Sequence, residues 1–295
     1  MFKKVILIAK KDDDLACRAR NSLKLELEKT GALVEEPYLK EADSCSEDKE
    51  ADLVICIGGD GTLLATLRKI GTLRHRAMVL GIHGSRGLGF LHPLRMPSEE
   101  EDVKQWATML VRLIREEAYV GETRWGLEAR IEGSGRWSWA LNDFVVGKAS
   151  ISRMVELEMK FGDDLIVPKM RGDGVILCSP TGSTAYSLSA GGPIMDPMLR
   201  ALLITPVCSH TFGLRPMVLN GDKTLTVKRL DQNTEGMLTG DGQDAQTLEL
   251  GKSVEIRVSD KPVHFMKPMA EDCRAPSYFE VLRSKLAFGK DRDAR

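Results

Sequence analysis

No apolar run in this 295-residue chain approaches the roughly 18 residues that a membrane-crossing helix needs. No dense block of Lys or Arg occurs, and 42 basic against 43 acidic residues leave a formal net charge of -1. The electrostatic footprint of a general nucleic-acid binder is therefore missing, and neither a nucleic acid nor a membrane is expected as partner. None of the six cysteines belongs to a C-x-x-C pair, and the five histidines form no cluster. Zinc-ligand spacing is thus absent, and each histidine is expected to be a surface or packing residue. Cys56 and Cys178 lie inside apolar, strand-like runs, the usage of a reducing, cytoplasmic compartment where Cys serves as a small hydrophobe. Internal repeats and low-complexity tracts are also absent.

What is present is ordinary for a globular protein: 42% hydrophobic and 29% charged residues, enough chain to bury a sizeable core. The N-terminal Val5–Ala9 run is shorter than a signal-peptide core, and Lys10-Lys11-Asp12-Asp13-Asp14 follows where a cleavage site would stand. It reads as a first buried strand. Asp12 to Asp14 supply cap candidates for a helix whose Leu15, Ala19, Leu23 and Leu27 recur every four residues, with Gly31 as its stop. Leu53–Ile57 and Met78–Ile82 are further buried strands, separated by a stripe of Leu63, Leu64, Leu67 and Ile70. Strands alternating with helices indicate a parallel sheet wound by crossovers.

A polar helix is expected from about Ser98 to Glu117, after which the hydrophobic period switches from helical to two. Leu127/Ala129/Ile131, Val155/Leu157/Met159/Phe161, Leu225/Val227 and Val254/Ile256/Val258 alternate with polar residues, and Gly162-Asp163-Asp164 marks a hairpin. This half reads as an antiparallel sandwich. Near the C-terminus, Ser277 and Glu280 form a capping box ahead of Phe279, Leu282 and Leu286. The expected organisation is an α/β domain over 1–120, a β-rich domain over 121–270, and a C-terminal segment over 271–295 that packs on the first domain.

Two segments carry chemistry. Ile57-Gly58-Gly59-Asp60-Gly61-Thr62 sits at the carboxyl end of a buried parallel strand, where open α/β sheets place ligands. Its glycines let backbone approach phosphate, and the next helix offers free N–H groups; a plain strand-to-helix turn with a capping Asp is the alternative. The fingerprint G-x-G-x-x-G fails because position 64 is Leu64, the glycines of Gly84-Ser85-Arg86-Gly87-Leu88-Gly89 stand in the wrong order, and no P-loop motif exists. The second segment is Arg171-Gly172-Asp173-Gly174 followed by Ser179 through Pro193, with hydroxyls at Thr181, Ser183, Thr184, Ser187 and Ser189 plus Tyr186. Those groups suit sugar and base edges; a Ser/Thr-rich surface turn is the alternative.

Together with Leu88-Gly89-Phe90-Leu91, Leu141-Asn142-Asp143, Ile204-Thr205-Pro206, His210-Thr211, Arg215-Pro216, Asp241-Gly242-Gln243 and Ser277-Tyr278-Phe279, these motifs resemble the NAD kinase family, in its bacterial branch. They run in the family's order from about residue 53 to the C-terminus. The resemblance implies transfer of the γ-phosphoryl group of ATP to the 2′-hydroxyl of the adenosine ribose of NAD, giving NADP. It assigns proton acceptance to Asp60, and NAD or cofactor binding to Gly61, Asn142, Asp143, Arg153, Arg171, Asp173, Thr184, Ala185, Tyr186, Ser187, Leu188, Ser189 and Gln243. It also implies a divalent cation, Mg²⁺, and a homodimer or homotetramer, with a C-terminal helix that returns to the first domain. Arg86 and Arg171 are the candidate cations for the triphosphate. A lipid kinase sharing the Gly-Gly-Asp-Gly turn and a non-catalytic NADP-binding module are the alternative readings. The sequence departs from the family in the longer 81–89 turn, which lacks the usual Asn, and in Asp143, where Glu is commoner.

Overall fold

The computed structural model describes residues 2–37, 50–84, 89–149, 154–231, 235–269 and 275–286. The chain divides into two compact units, one of residues 1–122 with 263–295 and the other of residues 123–262.

In unit 1, β1 (Lys4–Ala9) is followed by α1 (Asp14–Lys29), β2 (Leu33–Glu35), β3 (Leu53–Gly58), α2 (Asp60–Lys69), β4 (Met78–His83), β5 (Leu94–Arg95), α3 (Val103–Arg115) and β6 (Tyr119–Arg124). The sheet runs β2-β1-β3-β4, with parallel pairing throughout and β5 alongside β4. Strand β3 is buried on both faces, as expected where crossover helices cover a parallel sheet. Ile55 and Ile57 point to a core shared with Ala19, Leu23 and Leu27 of α1 and Trp106, Leu110 and Ile114 of α3. The intervening Cys56 points the other way, its Sγ 3.4 Å from Thr66 Oγ1 on α2. Burial pushes the Cys56 thiol up to about 12, so it is an inert packing residue. Helix α1 begins where its Asp13 side chain accepts the Ala16 N–H at 3.1 Å. The helix expected over Ser98–Glu117 is shorter, Val103–Arg115. Its first turn is where the apolar stripe starts, and the acidic run before it has no apolar face to bury.

Unit 2 contains β7 (Leu127–Ile131), β8 (Ser138–Ala140), β9 (Asp143–Lys148), β10 (Val155–Phe161), β11 (Asp164–Gly172), β12 (Gly174–Cys178), β13 (Ala201–Val207), β14 (Met217–Asn220), β15 (Leu225–Arg229), β16 (Gly236–Gly240), β17 (Asp244–Leu248) and β18 (Ser253–Val258). They form two antiparallel sheets, β11-β10-β15-β18-β7-β8 and β14-β13-β12-β9-β16-β17. Alternate residues of both sheets, among them Leu157, Val227, Ile256, Phe144, Leu177 and Ile204, meet in one sandwich core. Strand β12 is apolar at every position because it is covered twice. Val175 and Leu177 enter the sandwich, while Ile176 and Cys178 pack with Met195 and Leu203 on the outer face. A 3₁₀ turn (Thr181–Thr184) and the one-turn helix α4 (Tyr186–Ser189) follow β12, and Ala190 and Met195 beyond them supply apolar contact on that outer face.

The chain returns to unit 1 in β19 (Val263–Pro268), which pairs in parallel with β4 and lies between β4 and β6. The last helix, α5 (Tyr278–Leu286), starts at the expected capping box. Ser277 N–H donates to Glu280 Oε2 at 2.6 Å, and Glu280 N–H donates to Ser277 Oγ at 3.2 Å.

One buried ion pair lies inside unit 2. Arg229 and Asp231 are 5% and 7% exposed; Arg229 Nε is 3.3 Å from Asp231 Oδ1, and Arg229 Nη1 donates to Leu248 O at 2.7 Å. Asp231 also accepts the Glu156 N–H at 3.2 Å. Asp231→Ala leaves the guanidinium buried with its charge unmatched, and should cost about 3–5 kcal/mol. Urea-induced unfolding at neutral pH measures it; a loss below about 1 kcal/mol would show that water reaches Arg229.

Candidate active site

Strand β3 ends at Gly58, and α2 starts immediately, with Gly59 as its cap. Asp60 is therefore the first helical residue, where a carboxylate is favoured by the helix dipole. Its side chain, however, reaches away from its own helix to the segment after β4. Phe90 N–H donates to Asp60 Oδ2 at 2.7 Å and Leu91 N–H to Oδ1 at 3.2 Å, while His92 Nδ1 lies 2.8 Å from Oδ1. An ionised carboxylate only accepts, so His92 carries its proton on Nδ1 and donates it. Burial opposes the Asp60 charge, but the bonds from His92 and the Phe90 N–H outweigh that and hold the carboxyl below the usual carboxylate range.

Glycine at position 89 is what allows this cluster. A Cβ there would lie 2.5 Å from His83 Cδ2 and 2.7 Å from both Asp60 Oδ1 and His92 Nδ1. The two rings meet edge to face at 5.3 Å. His83 Nδ1 is 2.7 Å from Gly84 O, and burial pushes its pKa down. Both histidines, expected as surface or packing residues, are buried at 6% and 8% exposure, and His92 is bound to the motif aspartate. On the β1 and β3 side, Lys10 to Leu15, Gly58, Gly59 and Gly84 line an open cleft of about 700 Å³.

Unit 2 has a cleft of about 450 Å³ lined by Asn142, Asp143, Val145, Ala185, Tyr186, Thr239, Asp241 and Gly242. Asp241 organises it from an αL conformation, φ 48°, which Asp tolerates better than most residues. Its carboxylate accepts the N–H groups of Leu141 at 3.1 Å, Asn142 at 2.8 Å and Asp143 at 3.3 Å. Burial and the Asp241 charge push the Asp143 carboxyl up to about 7. Gly182 is packed against this strand end, since a Cβ on it would lie 2.1 Å from Asn142 O.

Of the expected binding residues, Asn142, Asp143, Ala185 and Tyr186 meet at this cleft, together with Asp241 and Gly242 of the quoted Asp-Gly-Gln motif. Tyr186 is half exposed there. Several neighbouring hydroxyls are used internally. Ser187 Oγ is 2.7 Å from Thr205 Oγ1, Ser183 Oγ donates to Pro180 O at 2.7 Å, and Thr184 Oγ1 to Thr181 O at 3.4 Å. Leu188 and Ser189 continue α4. Gln243 closes a turn, its N–H bonding Gly240 O at 3.0 Å. Arg171 and Asp173 lie elsewhere on unit 2: Arg171 Nε is 3.2 Å from Glu156 Oε1, and Asp173 Oδ1 is 2.6 Å from Lys148 Nζ. Gly61 occupies the first turn of α2. Arg153 and Arg86 lie outside the described residues, as do Cys45 and Cys273. Among the described residues no group of three or more His, Cys, Asp or Glu is placed to hold a metal ion. Asp241, His92 and Lys285 were not among the expected site residues. For Asp241 a signal existed, because Asp-Gly following a strand favours a tight turn.

The family described as ATP-NAD kinase C-terminal domain matches residues 141–268. The chain is 36% identical over 267 residues to a NAD kinase of Geotalea daltonii, covering 86% of this chain and 87% of that one. It is 39% identical over 236 residues to a NAD kinase of Clostridium perfringens, covering 80% of each. Among solved structures, yeast NADH kinase complexed with NADH has a TM-score of 0.79 at 22% identity, over 99% of this chain and 90% of that one. A NAD kinase from Archaeoglobus fulgidus in complex with ATP has a TM-score of 0.68 at 21% identity, over 90% and 94%. These two similarities concern the fold. An α/β unit with a glycine-flanked aspartate, a β-rich unit and these relatives define a phosphotransferase. More narrowly, the chain belongs to the NAD kinase family.

The raised Asp143 carboxyl has a consequence for stability. Between about pH 4 and about 7 the folded protein keeps a proton that the unfolded chain releases, so stability falls as pH rises through that window. Asp143→Asn stays neutral at every pH. It should melt above the wild type at pH 8, with the difference closing toward pH 4. Calorimetric melts across that range test it; a variant melting below wild type at pH 8 would contradict it.

Proposed function

We propose that this protein is an NAD kinase that transfers the γ-phosphoryl group of ATP to the 2′-hydroxyl of the adenosine ribose of NAD, producing NADP, with Asp60 as proton acceptor. The observation that carries the reading is the Asp60 carboxylate, kept ionised and aimed by Phe90, Leu91 and His92 in a member of this family. Phosphoryl transfer requires mainly alignment and charge neutralisation. A carboxylate whose basicity is lowered still suffices, because in a loose transition state the acceptor hydroxyl loses its proton late. His92 fixes which lone pairs of Asp60 remain for substrate.

In unit 2, Asn142, Asp143, Ala185 and Tyr186 bind NAD through its ribose and base edges. Gly61, Arg153, Arg171, Asp173, Thr184, Ser187, Leu188, Ser189 and Gln243 complete the family's set. Ser187 acts through the walls of that site, given its buried bond to Thr205. The divalent ion, Mg²⁺, arrives with the triphosphate as part of the nucleotide substrate. Such an ion is held mostly by phosphate and water. A homodimer or homotetramer in the cytoplasm completes the reading; light scattering on a sizing column measures the assembly. The relatives support this activity over a lipid kinase or a silent NADP-binding module.

Purified protein with ATP, Mg²⁺ and NAD should form NADP, detected with an NADP-specific dehydrogenase; absence of product would refute the proposal. Asp60→Asn removes the charge and basicity at nearly constant volume. A positioned general base supplies about 10²–10⁴-fold in rate, so kcat should fall at least about 100-fold while NAD affinity by calorimetry changes less than about tenfold. Near-normal kcat would leave Asp60 as a tether for the 89–92 turn. Asp143→Ala should raise the KM for NAD roughly 10- to 100-fold through loss of a polar contact, leaving the KM for ATP nearly unchanged. Equal rises for both substrates would place Asp143 outside the NAD site.

A further inference from the structure

We propose that Lys285, in the last turn of α5, is a phosphate-contacting residue of the donor-nucleotide site, its ammonium meeting the triphosphate. This rests on the kinase reading above, and concerns unit 1 alone.

An ammonium has three donors, and lysine heads ordinarily reach water while their stems pack. Lys285 does the reverse: its Nζ is buried and has no hydrogen-bond partner among the described residues. The ammonium lies over the face of Phe90, with Nζ 4.3 Å from the ring centroid. A ring face attracts the charge without taking up the N–H donors. The head is thus turned inward and lacks an acceptor among the described residues.

The groups around it define what acceptor would suit. Asp60 attracts the ammonium and Arg95 repels it, while the Lys285 charge helps push the His83 pKa down. No ion pair closes between Lys285 and Asp60, although the same residue holds both. Phe90 ties Asp60 Oδ2 through its backbone N–H at 2.7 Å and seats Lys285 on its ring. The proton-accepting carboxylate and the ammonium are therefore both held by Phe90 without pairing with each other. Burial lowers the Lys285 pKa to about 8, against the pull of Asp60. The group thus stays mostly charged at neutral pH in surroundings that favour an anion beside it. A polyanion with oxygens on several sides, such as a triphosphate, supplies acceptors to all three donors at once. The sequence candidates fit less well: Arg171 is engaged by Glu156 in unit 2, and Arg86 lies outside the described residues.

The test uses the full chain with Lys285→Met, which keeps the stem on Phe90 and removes the charge, and Lys285→Arg, which keeps the charge. Inorganic tripolyphosphate serves as the anion probe, read by its effect on the melting temperature. Wild type should be stabilised by tripolyphosphate and Lys285→Met should not. Lys285→Met should also raise the KM for ATP about tenfold or more, the scale of a charge-assisted hydrogen bond, with little change in the KM for NAD. Lys285→Arg should retain most of both properties. Should Lys285→Met fail to fold by circular dichroism, Lys285→Gln takes its place. Unaltered tripolyphosphate stabilisation in the charge-removing variant, or equal losses for ATP and NAD, would overturn the assignment. So would a wild type indifferent to tripolyphosphate. If wild type binds the probe through Lys285 yet forms no NADP, the kinase reading and the donor-nucleotide assignment fall, and only the phosphate contact of Lys285 stands.

Discussion

A carboxylate that collects backbone N–H groups from a distant segment underlies the site chemistry in unit 1. Asp60 begins α2, yet its oxygens hold Phe90, Leu91 and His92, about thirty positions along the chain. Those bonds do three things together. They satisfy N–H groups of an irregular turn that otherwise would need water, they keep the charge on a partly buried acid, and they leave the remaining lone pairs in a fixed direction. Gly89 is a condition of that arrangement, because a Cβ would collide with Asp60, His83 and His92 together.

Unit 2 uses the same device with the opposite electrostatic result. Asp241 collects the N–H groups of Leu141, Asn142 and Asp143, fixing the strand end that lines the cleft. Its charge then falls on Asp143, whose buried carboxyl is pushed up to about 7. One carboxylate supplies order and its neighbour bears the energetic consequence, a common arrangement where polar groups are set for binding. The hydroxyl-rich segment that follows β12 contributes shape more than donors, since Ser183 and Ser187 bond within the protein.

Lys285 adds an inward-facing cation beside Phe90. Unit 1 gathers Asp60, His83 and His92 around one turn, and α5 sets a single inward ammonium over Phe90. Helix α5 is positioned by its capping box and by Leu282, buried at 2% exposure. The local strength of that helix start thus bears on where the cation stands.

What the sequence by itself determined were the features that depend on neighbours in the chain. The four-residue spacing of α1, the period-two strands of the sandwich, the Gly162 hairpin and the Ser277–Glu280 box are short-range patterns, each tied to a local hydrogen bond or one buried face. The motif order carried the family in the same way. The tertiary structure alone decided the pairings between residues far apart: Asp60 with His92, Asp241 with the 141–143 backbone, Lys285 over Phe90, and the return of β19 to the edge of β4. It also decided that Ser183 and Ser187 face inward and that His92 is part of the Asp60 cluster. Periodicity records which face of an element is apolar, but a polar side chain bonds whichever partner the fold delivers within about 3 Å. That delivery depends on how the sheet orders its strands, and no local pattern encodes it.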